Sequence, residues 1–167
     1  MKIIVVSDTH YRNDILDELI DKHKDADIFI HCGDLEDDPQ WYPQWIFVRG
    51  NNDYFVGFED ERIIEAQGHR ILVLHSHRCS FLNREEILAS MAYDNGCDIV
   101  LYGHTHVSKM TWKNGIFLMN PGSTTSPRDG KTPSYGILTI DGAHVEGQIV
   151  HREVGKKKPG VVRLILY

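Results

Sequence analysis

Cysteine is scarce in this sequence: Cys32, Cys79 and Cys97 stand far apart and form no C-x-x-C pair. An odd, scattered set argues against a disulfide framework and a structural thiolate zinc centre, and it suits a reducing, cytoplasmic setting. Long apolar runs are missing as well. The longest uncharged ones, residues 3–6 and 71–74, are strand-sized and fall far short of the roughly 20 residues a membrane-spanning helix needs. Asp8 interrupts the first run before it could form the apolar core of a secretory signal, so neither export nor membrane association is expected. Basic charge is outnumbered, with 18 Lys and Arg against 24 Asp and Glu for a net charge of -6, so stable binding of duplex nucleic acid is not expected. Internal repeats and a domain linker are also lacking, and 167 residues suit a single domain of about 100 to 200 residues.

What the sequence does have is histidine, ten in all, on a chain whose 41% hydrophobic and 25% charged residues are those of an ordinary packed globule. Residues 2–7 are β-branched and almost continuously apolar, as in a strand buried on both faces. Ile15, Leu16, Leu19 and Ile20 then recur at helical spacing, with Asn13 placed to cap the helix. Residues 27–32 and 45–49 make two more strands, separated by an acidic, proline-containing loop over 34–44 without helical pattern. Residues 63–66 and 70–74 form a hairpin around Gln67-Gly68. A second helix turns Ile87, Leu88, Met91 and Ala92 inward, begins with Asn83 and Glu86 at capping-box spacing, and ends at Asn95-Gly96. Strand 98–102 follows, then strands over 109–113, 116–119, 135–140 and 143–150, with Asn114-Gly115 and Asp141-Gly142 as tight hairpin signals. The expected fold is α/β, a four-layer α-β-β-α sandwich of two packed sheets flanked by helices, with antiparallel β in the second half. Residues 155–160 suit a solvated turn or tail. Residues 161–167 are apolar enough for an edge strand or a homo-oligomer contact.

The polar residues follow a positional rule. Asp8 and His10 come directly after the first strand, Asp34 after the second, and Asn51 and Asp53 after the third. His75 follows the next apolar run, and His104 and His106 follow strand 98–102. The carboxyl ends of parallel strands gather at one sheet edge, where ligands are held, so five clusters distant in sequence would converge. Each offers a carboxylate oxygen, an amide oxygen or an imidazole nitrogen. Taken singly, Gly33-Asp34 and Gly50-Asn51-Asn52-Asp53 are ordinary turns. Two imidazoles two residues apart after a buried strand are harder to explain without a ligand.

Ser7-Asp8-Thr9-His10, His31-Cys32-Gly33-Asp34, Arg49-Gly50-Asn51-Asn52-Asp53, His75-Ser76-His77 and Gly103-His104-Thr105-His106 together resemble the five motifs of the calcineurin-like metallophosphoesterases. The Asn-Pro-Gly-Ser segment at Asn120 to Ser123 is similar to that of the small bacterial and archaeal phosphodiesterase branch. The resemblance covers residues 1–128. It implies one divalent ion on Asp8, His10 and His106, a second on Asn51, His75 and His104, and Asp34 as a bridge. Nitrogen and oxygen ligands without thiolate suit Mn, with Ni, Fe or Zn as alternatives. The implied activity is hydrolysis of a small-molecule phosphodiester by a metal-bridging hydroxide; the alternatives are a phosphomonoesterase, or a scaffold of this fold without turnover, as in the similar retromer subunit. Asp53 would accept a hydrogen bond that fixes a neighbouring ligand or loop. Many members of the wider superfamily have histidine after the metal-binding Asn, where this chain has Asn52, which can donate a hydrogen bond but is no acid. His77 would then either protonate the leaving group or have a supporting or surface role.

Among the other polar residues, Arg12 and Arg128 could pair with phosphate or remain solvated. His31 is expected in the core, and His23, His69, His144 and His151 on the surface. Trp41, Tyr42 and Trp45 would cap the core, frame a groove or make a subunit contact.

Overall fold

A computed structural model describes residues 1–152 and the strand Val161–Leu166. The 155–160 turn, and Tyr167, lie outside the described residues. The described elements run β1 (Lys2–Val6), α1 (Asp14–Lys22), β2 (Ile28–His31), β3 (Trp45–Phe47), β4 (Glu61–Ala66), β5 (His69–Leu74), α2 (Arg84–Asp94), β6 (Ile99–Leu101), β7 (Lys109–Lys113), β8 (Ile116–Asn120), β9 (Ser134–Asp141), β10 (His144–His151) and β11 (Val161–Leu166). They form a six-stranded sheet in the order β11-β10-β9-β1-β2-β3 and a five-stranded sheet in the order β4-β5-β6-β8-β7.

Alternation along the strands explains the layering. In β1, Ile3 and Val5 face the other sheet, where they meet Ile71, Val73, Ile99, Leu101, Phe117 and Met119. Ile4 and Val6 face the opposite way and pack under Ile15, Leu16 and Leu19 of α1. The second sheet repeats the arrangement, with Leu72, Val100 and Leu118 turned outward onto Leu88, Ala89 and Ala92 of α2. A strand covered on both faces has no polar face to offer, which is why β1 reads as an unbroken apolar run. The fold is therefore the expected sandwich of two mixed sheets with a helix on each outer face.

Several local expectations need correction. The second half is not wholly antiparallel: β8 pairs antiparallel with β7 across the Asn114-Gly115 turn but parallel with β6. Asn13 and Asn83 sit at the helix N-caps without side-chain capping bonds. Asn13 is buried, accepting from Thr9 Oγ1 and donating to Leu35 O, so its side chain braces the loop after β1 instead. On α2 the buried face is Arg84, Leu88, Ala89 and Ala92, with Ile87 and Met91 only half-buried. His23, expected at the surface, is buried at the end of α1, where its Nε2 lies 2.8 Å from the Tyr135 hydroxyl. His69, His144 and His151 are half-buried, and His69 is held between Asp98 and the carbonyl of Gly142. The Trp and Tyr cluster divides: Trp45 is core, Tyr42 packs partly against it, and Trp41 is exposed on a single 3-10 turn.

Candidate metal centre

β1, β2 and β3 run parallel in one sheet, and β5, β6 and β8 in the other. Their carboxyl ends meet at a common edge. The first sheet delivers Asp8, His10, Asp34 and Asn51, and the second delivers His75, His104 and His106. Asp8 Oδ1 lies 3.2 Å from His106 Nε2 and 3.7 Å from both His10 Nε2 and His75 Nε2. Asp34 Oδ2 is 3.5 Å from His75 Nε2 and 4.0 Å from His10 Nε2. Asn51 Oδ1 stands 3.0 Å from His75 Nε2 and 3.1 Å from His104 Nδ1. The sets Asp8, His10, His106 and Asp8, Asp34, His75 each bring their ligand atoms within 4.8 Å of one another.

Three imidazoles are oriented from behind. The Nδ1 of His10 donates to Glu36 Oε1 at 2.8 Å, that of His75 to Cys32 O at 2.8 Å, and that of His106 to Ser126 O at 2.7 Å. A carbonyl or carboxylate partner assigns the proton to Nδ1 and leaves Nε2 a bare lone pair. The Nε2 atoms of His10 and His106 consequently confront each other at 2.9 Å. Facing lone pairs repel unless a metal ion or a proton is shared between them. Asp8 Oδ1, buried amid these rings, has no hydrogen-bond partner, while its sister Oδ2 accepts from Ser7 Oγ and His104 N. A desolvated carboxylate oxygen left unpaired is costly, and a bound cation removes the cost. The donors therefore fit a divalent metal ion.

Titration follows the same geometry. Burial would raise the Asp8 carboxyl, but the adjacent His106 and His75 imidazoles and the Ser7 hydroxyl outweigh it and hold the group below the usual range. Asp34 is likewise held low against burial by His75 and by the main-chain and side-chain N–H groups of Asn52. Burial would lower His75 and His106, but Asp34 and Asp8 raise the first and Asp8 the second. His104 is pushed down to about 4, chiefly by burial and then by the charges of His75 and Arg84.

The backbone here is forced. Asp8, His10, Asp34, His104 and His106 all have φ between 48° and 75°, as does Glu36 at 60°, and Ser76 beside His75 is at 78°. Left-handed conformations at residues other than glycine cost on the order of 1 to 3 kcal/mol each and persist only where the surroundings impose them. The glycines of the motifs have a different purpose. A Cβ on Gly50 would overlap the Asp34 carboxylate, one on Gly103 would overlap Ser7 Oγ, and one on Gly33 would stand 2.6 Å from His75 Nδ1.

Around this cluster, Asp53 is buried and uses both oxygens as a clamp: Oδ2 accepts from Asp34 N at 2.8 Å and Gly50 N at 2.7 Å, and Oδ1 from Glu36 N at 2.8 Å. The ring of His77 is 5.5 Å from that of His75 and 6.2 Å from that of His104, and its Nδ1 is buried without a partner. His31 is fully buried, bonded to Thr9 Oγ1 and Gly33 N, and burial pushes it down to about 3. Arg12 and Arg128 are exposed, although the main chain of Arg128 bonds to His106 O. Two supports escaped the sequence reading. Glu36, which orients His10, was hidden in an acidic loop where every carboxylate looks solvated. Buried Arg84 donates to Ser76 O and Oγ, and its position at the start of α2 gives no sign of that bond.

Two mixed sheets with a carboxylate and imidazole cluster at their shared carboxyl edge define the metallophosphoesterase class of α/β fold. A family model described as the calcineurin-like phosphoesterase superfamily domain matches residues 1–143, and the chain belongs to that superfamily. It is 32% identical over 145 residues to a probable metallophosphoesterase, YsnB, of Bacillus subtilis, covering 84% of this chain and 85% of the relative. A protein named as a phosphodiesterase in Methanocaldococcus jannaschii is 28% identical over 164 residues, covering 84% of this chain and 94% of its own. Among solved structures, a predicted phosphoesterase from Streptococcus pneumoniae matches with a TM-score of 0.84 at 27% identity, covering 98% of this chain and 97% of that one.

Proposed function

We propose that the protein is a phosphodiesterase of small molecules that works through two divalent ions, Mn foremost with Ni, Fe or Zn as alternatives. One ion would lie on Asp8, His10 and His106, the other on Asn51, His75 and His104, with Asp34 between them. The observation that carries this reading is the partnerless Asp8 Oδ1 at the centre of three imidazoles whose Nε2 lone pairs converge. Ions bound in such a site polarise a phosphoryl oxygen and activate water for in-line displacement.

The chain's own residues set the terms of that chemistry. Asn52 donates both its main-chain and side-chain N–H to Asp34, so it holds the bridging carboxylate and leaves no acid beside Asn51. That favours diesters with good leaving groups over monoesters. His77 is held below its usual value by burial and by the charges of His75 and Arg78, and added cations would push it lower. It would therefore meet the leaving group as a neutral hydrogen-bonding ring, not as a stored proton. Arg128, whose main-chain N–H bonds to His106 O, would attract the phosphate.

The test is turnover of bis-p-nitrophenyl phosphate and of p-nitrophenyl phosphate after chelation and add-back of Mn, Ni, Zn or Mg. Diester turnover should vanish on chelation, return with Mn, and be absent in Asp34→Asn. Turnover surviving both chelation and Asp34→Asn would overturn the metal reading. Faster monoester than diester turnover would overturn the substrate class, and a loaded protein inert to both would establish the scaffold alternative.

A further inference from the structure

Beside the metal cluster is a cavity of about 360 Å³ lined by Glu36, Asn52, Tyr54 and Phe55. Two of its walls touch the ligands directly: Glu36 accepts from His10 Nδ1, and Asn52 donates to Asp34. A phosphate held at the cluster thus has this cavity as its immediate neighbour. The other two walls are aromatic rings carried by a short exposed loop. Tyr54 is 85% exposed, Phe55 46% and the following Val56 87%.

Three consecutive large side chains left in water are an unused opportunity for burial, and they stand on a loop that is firmly held. At one end Asp53 is clamped to Asp34, Gly50 and Glu36. Arg49 spans the loop, donating from Nη1 to Asp53 O and from Nη2 to Phe58 O. Beyond it Phe58 is buried in the core. Apolar rings presented on fixed ends next to a site are suited to a ligand's flat face. A third ring, the exposed Tyr11, follows His10 directly and bonds through its main-chain N–H to Leu35 O, next to Glu36.

The lining also says what the ligand arm is not. It contains no Lys, Arg or His, and the Glu36 carboxylate would repel a second phosphate. An acyl chain would gain little from a carboxylate and an amide. A planar ring joined to a hydroxyl-bearing sugar satisfies all four walls, with the ring on Tyr54 and Phe55 and the sugar hydroxyls on the oxygens of Glu36 and Asn52. A separate cavity of about 240 Å³, lined by His75, His77, Leu74, Ile87 and Met91, among others, shares no residue with the first. Two separate cavities, each in contact with the cluster, suit a phosphate with two substituents.

We propose that the Glu36, Asn52, Tyr54 and Phe55 cavity seats a nucleoside arm of the substrate, with the base stacked on the Tyr54 and Phe55 rings. The proposal rests on the phosphodiesterase reading of the adjoining site and names its substrate class. Calorimetric titration of the Mn-loaded protein with adenosine 5′-monophosphate and with methyl phosphate tests it, because the two differ only in the arm. Removing one stacking ring should weaken base binding between about 5-fold and about 150-fold. The nucleotide should bind at least tenfold tighter than methyl phosphate to the native chain, and Tyr54→Ala and Phe55→Ala should each erode that advantage while methyl phosphate affinity and metal content stay constant. Equal affinities in the native chain, or an advantage unchanged in both variants, overturns the proposal. Turnover of bis-p-nitrophenyl phosphate by the same preparation reports separately on the underlying phosphodiesterase activity.

Discussion

Replacing Asp53 by Asn changes one atom of the buried clamp and leaves the proposed metal ligands in place. The carboxylate accepts three main-chain N–H groups, those of Asp34 and Gly50 on Oδ2 and that of Glu36 on Oδ1. An amide has one oxygen to offer. If that oxygen takes the Oδ2 position, two bonds survive without charge assistance, and the amide NH2 points at the Glu36 N–H. Hydrogen bonds to a charged acceptor are worth about 1.5 to 3 kcal/mol and neutral ones about 1, so the two survivors lose roughly 1 kcal/mol each and the third is lost. The sum is about 3.5 to 5 kcal/mol, and the lower figure applies because Glu36 is only half-buried and water can reach it. Asp53→Ala, which strands all three donors, should cost about 4.5 to 9 kcal/mol on the same scale. Urea unfolding of the metal-free proteins measures both, and working without metal separates folding from ligand binding. A loss under about 1 kcal/mol for Asp53→Asn would refute the clamp, as would an Ala variant no worse than the Asn one.

Other consequences follow from the same geometry. Because carboxylate neighbours raise His75 and His106, both hold protons more tightly in the metal-free protein than free histidine does, and an ion must displace them. Metal affinity should therefore rise with pH between about 6 and about 8, with protons released on binding in calorimetry across buffers of differing ionisation heat; a flat profile would contradict the assignment. His31, buried neutral with its value pushed down to about 3, lies far below its unfolded counterpart. The folded state then binds fewer protons than the unfolded one, so stability is full above about pH 6.5 and is lost as pH falls towards 3, by up to about 4 kcal/mol. Unfolding of metal-free His31→Gln should show a shallower acid slope than the parent, and an identical slope would assign the acid lability elsewhere. Gly103→Ala drives a Cβ into Ser7 Oγ and should cost at least about 2 kcal/mol and lower bound metal by elemental analysis. Gly68→Ala, with nothing within 4 Å of its Cβ but a φ of 83°, should cost only about 1 kcal/mol and leave metal content intact.

The sandwich was legible because burial on both faces leaves a strong mark: β1 and β5 are apolar runs, and α1 shows its buried stripe at Ile15, Leu16 and Leu19. The gathering of Asp8, Asp34, Asn51, His75 and His104 was legible because each directly follows a strand, and parallel strands end together. What sequence could not show was pairing without a turn to announce it. Asn114-Gly115 betrays the β7-β8 hairpin, but nothing local marks the parallel join of β8 to β6. His23 was misplaced because nothing in its position at the end of α1 reveals the Tyr135 hydroxyl, 112 residues away, that meets it. The left-handed backbones at Asp8, His10 and His106 are equally silent, since the tertiary contacts around them come from the loops that follow β2, β6 and β8.

The division of the cluster between the sheets turns the metal site into a gauge of their alignment. Asp8, His10, Asp34 and Asn51 ride on one sheet and His75, His104 and His106 on the other, and how the two lie is set by the apolar layer of Val5, Val73, Leu101 and Met119 among others, with the bonds from His75 to Cys32 O and from His104 N to Asp8 at its edge. A single-residue slip of one sheet over the other, about 3.3 Å, would pull the two halves of the cluster apart. Substitutions in that layer are thus filtered twice, once for stability and once for sub-ångström alignment. A core variant that melts at the native temperature can still have lost its metal.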